Sequence, residues 1–351
     1  MANIIHVVGT AGLGETLVCL LADFARDLGI GEVTFHRRSA SEADRPRLKA
    51  LLDKGAVLAA EGETRSELER MGLEVPHTPV AALERATVVV DATPGASRLR
   101  DVYAGLRSAR GVVALQADGA FGPAVAHGVN VAALRKGTDR LVRVAGSGAH
   151  GMALVTAALA GTTGSRVASA LEGRFVFLPR TADVALGSDL PSAALGPHPD
   201  MDAGTADAAL ARQLLAGIGA DCPVFGSTME LNHALLHTLH FAVRLRERIT
   251  AADALARLQE HARAARTEKL SPNPVFGFGR DHGWSGRLLN PLVVPRPSLA
   301  VRPEGEVVGF AYLPPEGNEL MSAVAAVLWL MDGEPALRRM DAFKPYAFDE
   351  V

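Results

Sequence analysis

Short apolar runs alternate with longer amphipathic segments over the first 145 residues. The first run, residues 4–8, is mostly β-branched, which is typical of a buried strand. After it, Leu17, Leu21 and Leu28 recur at helical spacing. Strands separated by helices predict a doubly wound parallel sheet. The further strands predicted for this sheet are residues 32–35, 86–92, 112–116 and 141–145.

The second half of the chain has a different pattern. Short strand-like runs there follow one another without a helix between them, as in an antiparallel or mixed sheet. These predicted strands are residues 292–294, 299–301 and 307–312, and residues 174–178 are predicted to form a separate, earlier strand. Helical spacing covers residues 206–215, 250–266 and 318–331. The segment 271–284, which is rich in proline, glycine and aromatic residues, is predicted to be a loop.

A glycine turn links the first strand to the first helix. Gly9, Gly12 and Gly14 lie in it, with Ala11 and Leu13 between them. Strand, glycine turn and helix form the geometry that holds a pyrophosphate on the free N–H groups of a helix N-terminus. The spacing G-x-x-G-x-G differs from G-x-G-x-x-G, so a turn that binds nothing is the alternative.

The end of the second strand indicates which dinucleotide binds. An acidic residue there would contact the ribose 2′-hydroxyl of NAD, whereas arginine accommodates the 2′-phosphate of NADP. The sequence has Arg37, Arg38 and Ser39 at this place, with no acid until Glu42. We therefore predict a preference for NADP over NAD, with a solvated loop as the alternative for the two arginines.

The strand at 86–92 ends in a second polar turn. Because the carboxyl ends of parallel strands line the ligand crevice, Asp91, Thr93 and Pro94 are candidate neighbours of the nicotinamide.

Composition restricts the possible partners and the compartment. The 351 residues carry a net charge of −3, so no electrostatic footprint for nucleic acid or an anionic membrane is present. No apolar run reaches membrane-spanning length, and no signal peptide is evident. Cys19 and Cys222 are far apart and form neither a metal motif nor a disulfide framework. We expect a cytoplasmic protein with a small-molecule substrate.

A second strand–glycine–helix junction occupies residues 146–152. Ser147 and His150 lie at its tip. A serine in such a turn can act as a nucleophile beside oxyanion donors, or it can cap the helix.

Three histidines lie in the apolar segment 228–245. On a helix, His233, His237 and His240 would share one face and suggest a metal site, whereas on a strand His240 would point away from the other two. Structural histidines, a catalytic acid or base, and a metal site are the three interpretations. No nearby Asp or Cys completes a ligand set, so no metal is assigned.

Several motifs together resemble the archaeal-type (class II) glyceraldehyde-3-phosphate dehydrogenases. The resemblance covers most of the chain and depends on the order of its motifs. The matching segments are the glycine turn, residues 37–39, VVVDATPG at 88–95, Gln116, RVAGSGAHGMAL at 143–154, PRTAD at 179–183, the segment around His237, and residues 315–321.

The resemblance implies an α/β fold with three regions. These are a Rossmann dinucleotide-binding domain over residues 1–145, a glyceraldehyde-3-phosphate dehydrogenase-like α+β catalytic domain over 146–314, and a C-terminal helix over 315–351 that returns to the first domain. It further implies that Gln116 contacts the cofactor, that His237 is catalytic, and that the protein is a homo-oligomer, a dimer or a tetramer.

Two departures from the family change the expected chemistry. Ser147 stands where the family has its thioester-forming cysteine, and residues 186–189 replace a Lys-Lys-Gly motif. A serine hydroxyl is far less available as an anion than a thiol. We assign catalysis to Ser147, His237 and His150. Substrate binding is assigned to Arg180, His198 and His233.

Three functions are compatible with these features. The first is an NADP-dependent oxidoreductase that transfers hydride to or from an aldehyde, alcohol or imine without a covalent thioester. The second is a non-redox enzyme that uses the dinucleotide as a substrate or a transient redox cofactor. The third is a catalytically inactive binding partner.

Overall fold

The computed structural model describes residues 2–161, 169–180, 193–233 and 235–351. The chain divides into two compact units, and each unit combines several chain segments. Unit 1 consists of Met1–Ala124, Leu134–Val144 and Ser322–Ala342. Unit 2 consists of Val125–Ala133, Ala145–Met321 and Phe343–Val351.

Unit 1 is built on a sheet with strand order β3-β2-β1-β4-β5-β7-β6, in which the pairs from β3 to β7 are parallel. The strands are β1 (Ile4–Val8), β2 (Glu32–His36), β3 (Val57–Ala59), β4 (Val88–Asp91), β5 (Gly111–Ala114), β6 (Ala124–Val125) and β7 (Leu141–Val144). Central strands of such a sheet are covered on both faces, and β4 is accordingly buried throughout.

The register of this sheet aligns the ends of three strands. Val8 of β1 lies opposite His36 of β2 on one side and Asp91 of β4 on the other. Residues that follow these positions therefore meet at one edge. The helices that connect the strands are α1 (Leu13–Asp23), α2 (Ala25–Leu28), α3 (Arg45–Asp53), α4 (Gly62–Arg70), α5 (Pro79–Arg85) and α6 (Arg100–Ala104).

Unit 2 contains a mixed sheet with strand order β12-β13-β15-β11-β8-β10-β9, and β14 pairs with β15. Its strands are β8 (Ala170–Leu178), β9 (Ala194–Leu195), β10 (Val224–Glu230), β11 (His237–Leu245), β12 (Ala265–Thr267), β13 (Val293–Pro295), β14 (Ala300–Val301) and β15 (Glu306–Leu313). Strand β11 is antiparallel to both β8 and β15.

One helix forms the centre of unit 2. All fourteen residues of α7 (Ser147–Ala160) are buried. Its small residues permit close contact with the sheet, because a Cβ on Gly151 would come within 2.8 Å of a Leu313 methyl carbon. The other helices are α8 (Ala206–Ala216), α9 (Ala251–Ala262) and α10 (Pro272–His282).

Helix α10 corrects the prediction of a loop over residues 271–284. Ser271 caps this helix by accepting a hydrogen bond from the Asn273 N–H at 3.3 Å, and Pro272 occupies its first position. Val275 is fully buried, so the helix is held by tertiary packing. The proline and glycine residues of this segment, which led to the prediction of a loop, are therefore compatible with a helix here.

The last long helix belongs mainly to unit 1. Helix α11 (Met321–Asp332) follows a single π-helical turn, Glu316–Leu320. Leu330 packs on Gly111 of β5, where a Cβ would come within 2.6 Å of a leucine methyl carbon. Arg110 donates a hydrogen bond to the Met331 carbonyl oxygen, and Arg339 donates one to the Leu28 carbonyl oxygen at 3.1 Å.

No helix within the described ranges is both long enough and apolar enough to span a bilayer.

Candidate functional site

A cleft of about 180 Å³ opens at the carboxyl edge of the unit 1 sheet. We call it the unit 1 cleft. It collects residues from the ends of β1, β2 and β4, which the sheet register aligns. Its lining residues are Gly9, Thr10, Ala11, His36, Arg37, Arg38, Ser39, Ala92, Thr93 and Pro94.

The glycine turn forms the floor of this cleft. Gly9 has a positive φ of 84°, and a Cβ there would lie 2.5 Å from the Thr93 methyl carbon. A Cβ on Gly14 would collide with the carbonyl oxygen of Gly9. Gly12 is the N-cap of α1 with φ 56°, and Leu13 is the first residue of the helix. Glycine is therefore required twice for close approach and once for backbone conformation.

Asp91 shapes the turn that faces Gly9. The fully buried Asp91 carboxylate accepts hydrogen bonds from the Thr93 N–H at 2.8 Å, the Thr93 hydroxyl at 2.6 Å and the Tyr103 hydroxyl at 2.7 Å. Through these hydrogen bonds Asp91 fixes the turn that carries Thr93 and Pro94. Thr93 and Pro94 line the cleft, whereas Asp91 does not. Burial and the Asp91 charge raise the pKa of Tyr103, which therefore stays a donor.

Arg37 is held in a fixed position beside the cleft. Its Nη1 donates to the Thr10 hydroxyl at 2.8 Å, and its Nη2 pairs with the Asp44 carboxylate. Its buried Nε has no hydrogen-bond partner among the described residues. Arg38 and Ser39 are exposed, and the Thr64 hydroxyl donates to the Arg38 carbonyl oxygen at 3.2 Å.

A buried polar chain lies behind the same wall. His6 Nδ1 lies 2.7 Å from the Thr34 hydroxyl oxygen, and His6 Nε2 lies 3.0 Å from His36 Nδ1. Burial and the neighbouring His36 lower the pKa of His6 to about 3. This chain was not predicted from the sequence, although a histidine within a run of four β-branched residues was the available signal.

Gln116 lies apart from these groups. It is exposed in a bend after β5 and does not line the unit 1 cleft.

Unit 2 holds a second polar group at the N-terminus of α7. The Glu319 carboxylate accepts hydrogen bonds from the Ser147 hydroxyl at 2.9 Å and from the Ser147 N–H at 3.2 Å. Gly146 is the N-cap, without a side-chain capping bond, so the interpretation of Ser147 as a cap is wrong. Burial raises the pKa of Glu319, while the Ser147 hydrogen bonds oppose that shift.

Glu319 was not predicted from the sequence. It belongs to the π-helical turn before α11, and no local pattern distinguishes it from an ordinary acidic residue in a first helical turn. The contact with Ser147 spans 172 residues.

His237 and Arg180 meet at the ends of β11 and β8. His237 Nδ1 accepts a hydrogen bond from the Arg180 backbone N–H at 2.9 Å, so the ring proton lies on Nε2. Burial, with the Arg180 and His233 charges, lowers the pKa of His237 to about 3. The Arg180 charge also acts on Glu319, in the direction that lowers the pKa of that carboxyl group.

The structure decides how the three neighbouring histidines are arranged. His237 and His240 lie on strand β11, and His233 precedes it, so the helical interpretation is wrong. His240 instead contacts the ring of Phe310 edge-on. Over the described ranges, no three His, Cys, Asp or Glu side chains come together as a possible metal site.

The two remaining predicted site residues, His150 and His198, make their hydrogen bonds to groups other than Ser147, Glu319, His237 and Arg180. His150 is fully buried on α7, and its Nε2 donates to the His127 carbonyl oxygen at 2.8 Å. Burial lowers the pKa of His150 to about 4. His198 is hydrogen-bonded to the Ser227 hydroxyl at 3.0 Å and contacts the ring of Phe225. Residues 181–183 of the PRTAD motif and residues 186–189 lie outside the described residues.

A parallel sheet in one unit and a mixed sheet carrying a buried helix in the other define a two-domain α/β fold. No family model matches the chain, and no curated protein matches it by sequence. Its similarity to known proteins is found among solved structures.

The chain is similar to aspartate semialdehyde dehydrogenase II from Vibrio cholerae, both in a complex with ASA and without it. For the complex, the TM-score is 0.64 at 14% identity, covering 95% of this chain and 99% of that one. For the second structure, the TM-score is 0.63 at 13% identity, with the same coverage. The predicted fold class is thereby confirmed.

Proposed function

We propose that this protein is an NADP-dependent oxidoreductase that transfers hydride to or from an aldehyde, alcohol or imine. The observation that carries the proposal is the unit 1 cleft. Close backbone approach at Gly9 and Gly14, the N-terminus of α1 and two arginines at the end of β2 suit a phosphorylated dinucleotide. The fold agrees with this proposal, because it is similar to that of aspartate semialdehyde dehydrogenase II.

The residues present fit such a cofactor. The α1 N-terminus would receive the pyrophosphate, and Arg37, Arg38 and Ser39 would surround the 2′-phosphate of NADP. The unpartnered Nε of Arg37 supports this placement, since a buried donor without a partner is unfavourable. When bound, the nicotinamide would supply or accept the hydride.

The chemistry proposed for unit 2 does not use a thiol. Ser147 occupies the position that resembles the family's cysteine, and its hydroxyl donates to a carboxylate. Cys222 is buried, and its pKa is raised to about 11, so it stays protonated at neutral pH. We therefore infer a non-covalent mechanism, distinct from that of the phosphorylating glyceraldehyde-3-phosphate dehydrogenases.

Glu319 and Ser147 can move the proton that accompanies hydride transfer. In reduction, the substrate oxygen takes a proton from the Ser147 hydroxyl, and that hydroxyl recovers a proton from the Glu319 carboxyl. Oxidation runs the same path in reverse. The raised pKa of Glu319 suits a group that must both hold and release a proton.

His237 has a different role in this proposal from the acid or base expected from the sequence. Its Nδ1 is occupied by the Arg180 N–H, and its pKa of about 3 keeps the ring neutral. A neutral Nε2–H polarises a carbonyl oxygen by donating a hydrogen bond. Arg180 would hold an anionic group of the substrate, and the buried His150 would position α7.

We place the interface of the expected homo-oligomer on the outer face of the unit 2 sheet. Phe310 projects from β15 with 41% of its surface exposed, and His240 contacts it with 4.9 Å between ring centroids. An exposed aromatic residue on an open sheet face suits a symmetric interface between two copies. We expect the oligomer to be cytoplasmic.

Calorimetric titration with NADPH and NADH tests the cofactor assignment. Removing Arg37 with Arg37→Ala should weaken NADPH binding by about 1–3 kcal/mol, the scale of a lost charge-assisted contact, and should affect NADH less. Arg107→Ala removes an exposed arginine outside the cleft and serves as the matched control. Absence of binding by both dinucleotides would refute the proposal.

A screen of small aldehydes and alcohols then tests the reaction itself. Nicotinamide absorbance reports hydride transfer, and the substrate that turns over can be used to compare variants. Glu319→Gln should lower kcat by about 10²- to 10⁴-fold while NADPH affinity stays unchanged, because proton transfer by a positioned group contributes on that scale. A kcat equal to that of the unmodified protein would remove Glu319 from the mechanism.

A further inference from the structure

The buried chain behind the unit 1 cleft ends at a residue that lines it. Thr34 and His6 are fully buried, and His36 retains 9% of its surface. The distances of 2.7 Å and 3.0 Å join the three side chains in the order Thr34, His6, His36. His36 is the last residue of β2. In dinucleotide-binding folds, residues near this position contact the ribose 2′ group that distinguishes NAD from NADP.

The direction of the hydrogen bonds in this chain is assigned from its inner end. The Thr34 hydroxyl donates to the Ile5 carbonyl oxygen at 3.5 Å, and that oxygen can only accept. We assign this direction to the whole chain, so that His6 Nδ1 donates to Thr34 and His36 Nδ1 donates to His6 Nε2. The second ring nitrogen of His36, Nε2, is left with a lone pair and has no partner among the described residues.

The charges around His36 act in both directions. Arg38 disfavours a positive charge on the ring, whereas Asp91 and Glu61 favour it. His77 acts on the neighbouring His6 and opposes its protonation. With burial added, the pKa of His36 lies below its usual value, so before a ligand binds the ring is neutral at neutral pH.

Protonation at Nε2 leaves the rest of the chain unchanged. An imidazolium at His36 still donates from Nδ1 to His6 Nε2, so neither His6 nor Thr34 has to reorient. A phosphate dianion beside Nε2 would stabilise this charge, and a hydroxyl group would not. His36 can therefore be neutral beside a ribose 2′-hydroxyl or protonated beside a 2′-phosphate, without any rearrangement of His6 and Thr34.

We propose that His36 distinguishes the two dinucleotides by its protonation, accepting a hydrogen bond from the 2′-hydroxyl of NAD(H) when neutral and taking up one proton when the 2′-phosphate of NADP(H) binds. This inference depends on the proposed dinucleotide site in unit 1. The proton comes from the solvent and adds to Nε2, while the phosphate stays a dianion. The cleft would accordingly accept both dinucleotides, with a preference that depends on pH.

Proton uptake can be measured directly. Titrations of the full-length protein at about pH 7.5, in two buffers that differ in ionisation enthalpy, give the number of protons taken up per dinucleotide bound. At that pH a phosphate with a second pKa of about 6 is mostly dianionic, so any contribution from the ligand itself would be proton release. We expect uptake with NADPH and none with NADH.

A variant and a control localise the proton. His36→Gln retains a group that can accept or donate but does not titrate, and it should abolish the proton uptake with NADPH. His77→Gln removes a histidine that does not line the cleft and should leave the uptake unchanged. The unmodified protein should lose NADPH affinity by up to about tenfold per pH unit above neutrality, and His36→Gln should not.

Fragments keep the test independent of how the variant folds. With the unmodified protein, adenosine 2′,5′-bisphosphate should bind with proton uptake and adenosine 5′-phosphate without it. Equal uptake for the two fragments, or uptake retained in a folded His36→Gln protein, would overturn the inference while leaving the dinucleotide site intact. Failure of both NADPH and NADH to bind would overturn the proposed function, and this inference with it.

Discussion

Gly9→Ala is the substitution whose effect the structure defines most closely. A Cβ at this position would lie 2.5 Å from the Thr93 methyl carbon, in a residue whose φ is 84°. Thr93 cannot rotate away without cost, because its hydroxyl and its N–H both donate to the buried Asp91 carboxylate at 2.6 and 2.8 Å. The new methyl group therefore forces a shift of backbone at the centre of the unit 1 cleft.

Two contributions add up to the expected loss of stability. The left-handed backbone costs an alanine about 1–2 kcal/mol, and overpacking costs about 1–3 kcal/mol more. Gly55→Ala separates them, because Gly55 has φ 87° and a Cβ added there would meet no described atom within 4 Å. It should show the backbone cost alone, so Gly9→Ala should be the more destabilising by about 1–3 kcal/mol.

Amide hydrogen exchange in β1 and β4 measures the stability of unit 1 specifically, which a whole-chain melting curve does not. Thr93→Ser removes the opposing methyl group but keeps the hydroxyl for Asp91. Added to Gly9→Ala, it should restore most of the steric part, and NADPH binding with it. Equal protection in Gly9→Ala and Gly55→Ala, or no rescue by Thr93→Ser, would refute the reasoning.

Three other predictions concern unit 2. Burial raises the folded-state pKa of Glu319, so the stability that this group contributes is present at low pH and is lost as the pH rises through that pKa. Urea unfolding measured across pH should therefore show a smaller loss of stability for Glu319→Gln than for the unmodified protein. An identical pH profile for the two proteins would contradict this prediction. The pKa of His150 is lowered to about 4, so stability should fall by about 2 kcal/mol between pH 6.5 and 5, and His150→Gln should remove that share of the slope. Phe310→Glu should convert the oligomer to monomers in light scattering, whereas Leu270→Glu, at an exposed position outside the sheet, should not.

The unit 1 site was largely predictable because its signals are local. The glycine turn, the two arginines after β2 and the Asp-x-Thr-Pro turn each lie within a few residues, and each is placed by the end of a strand. His6 was predictable in principle, since a polar residue inside a buried strand must have a partner. Its partner His36 lies thirty residues away, so only the strand register reveals the pair.

The unit 2 site was far less predictable, because distant contacts create it. Nothing near Ser147 indicates that Glu319 accepts a hydrogen bond from its hydroxyl, and nothing near His237 indicates that the Arg180 N–H fixes its tautomer. The strand at 237–245 was ambiguous for the same reason. Its Leu, Ala and His residues permit a helix, and only pairing with β8 and β15 selects a strand.

The segmented make-up of unit 1 has a consequence for synthesis on the ribosome. Its sheet is complete once β7 has emerged, but Leu330 and Met331, which cover Gly111 and Arg110 of the β5 region, are translated nearly two hundred residues later. Until then the nascent sheet exposes part of its apolar face. We expect this exposed face to favour chaperone binding during translation, and a premature stop before residue 322 would leave it permanently uncovered.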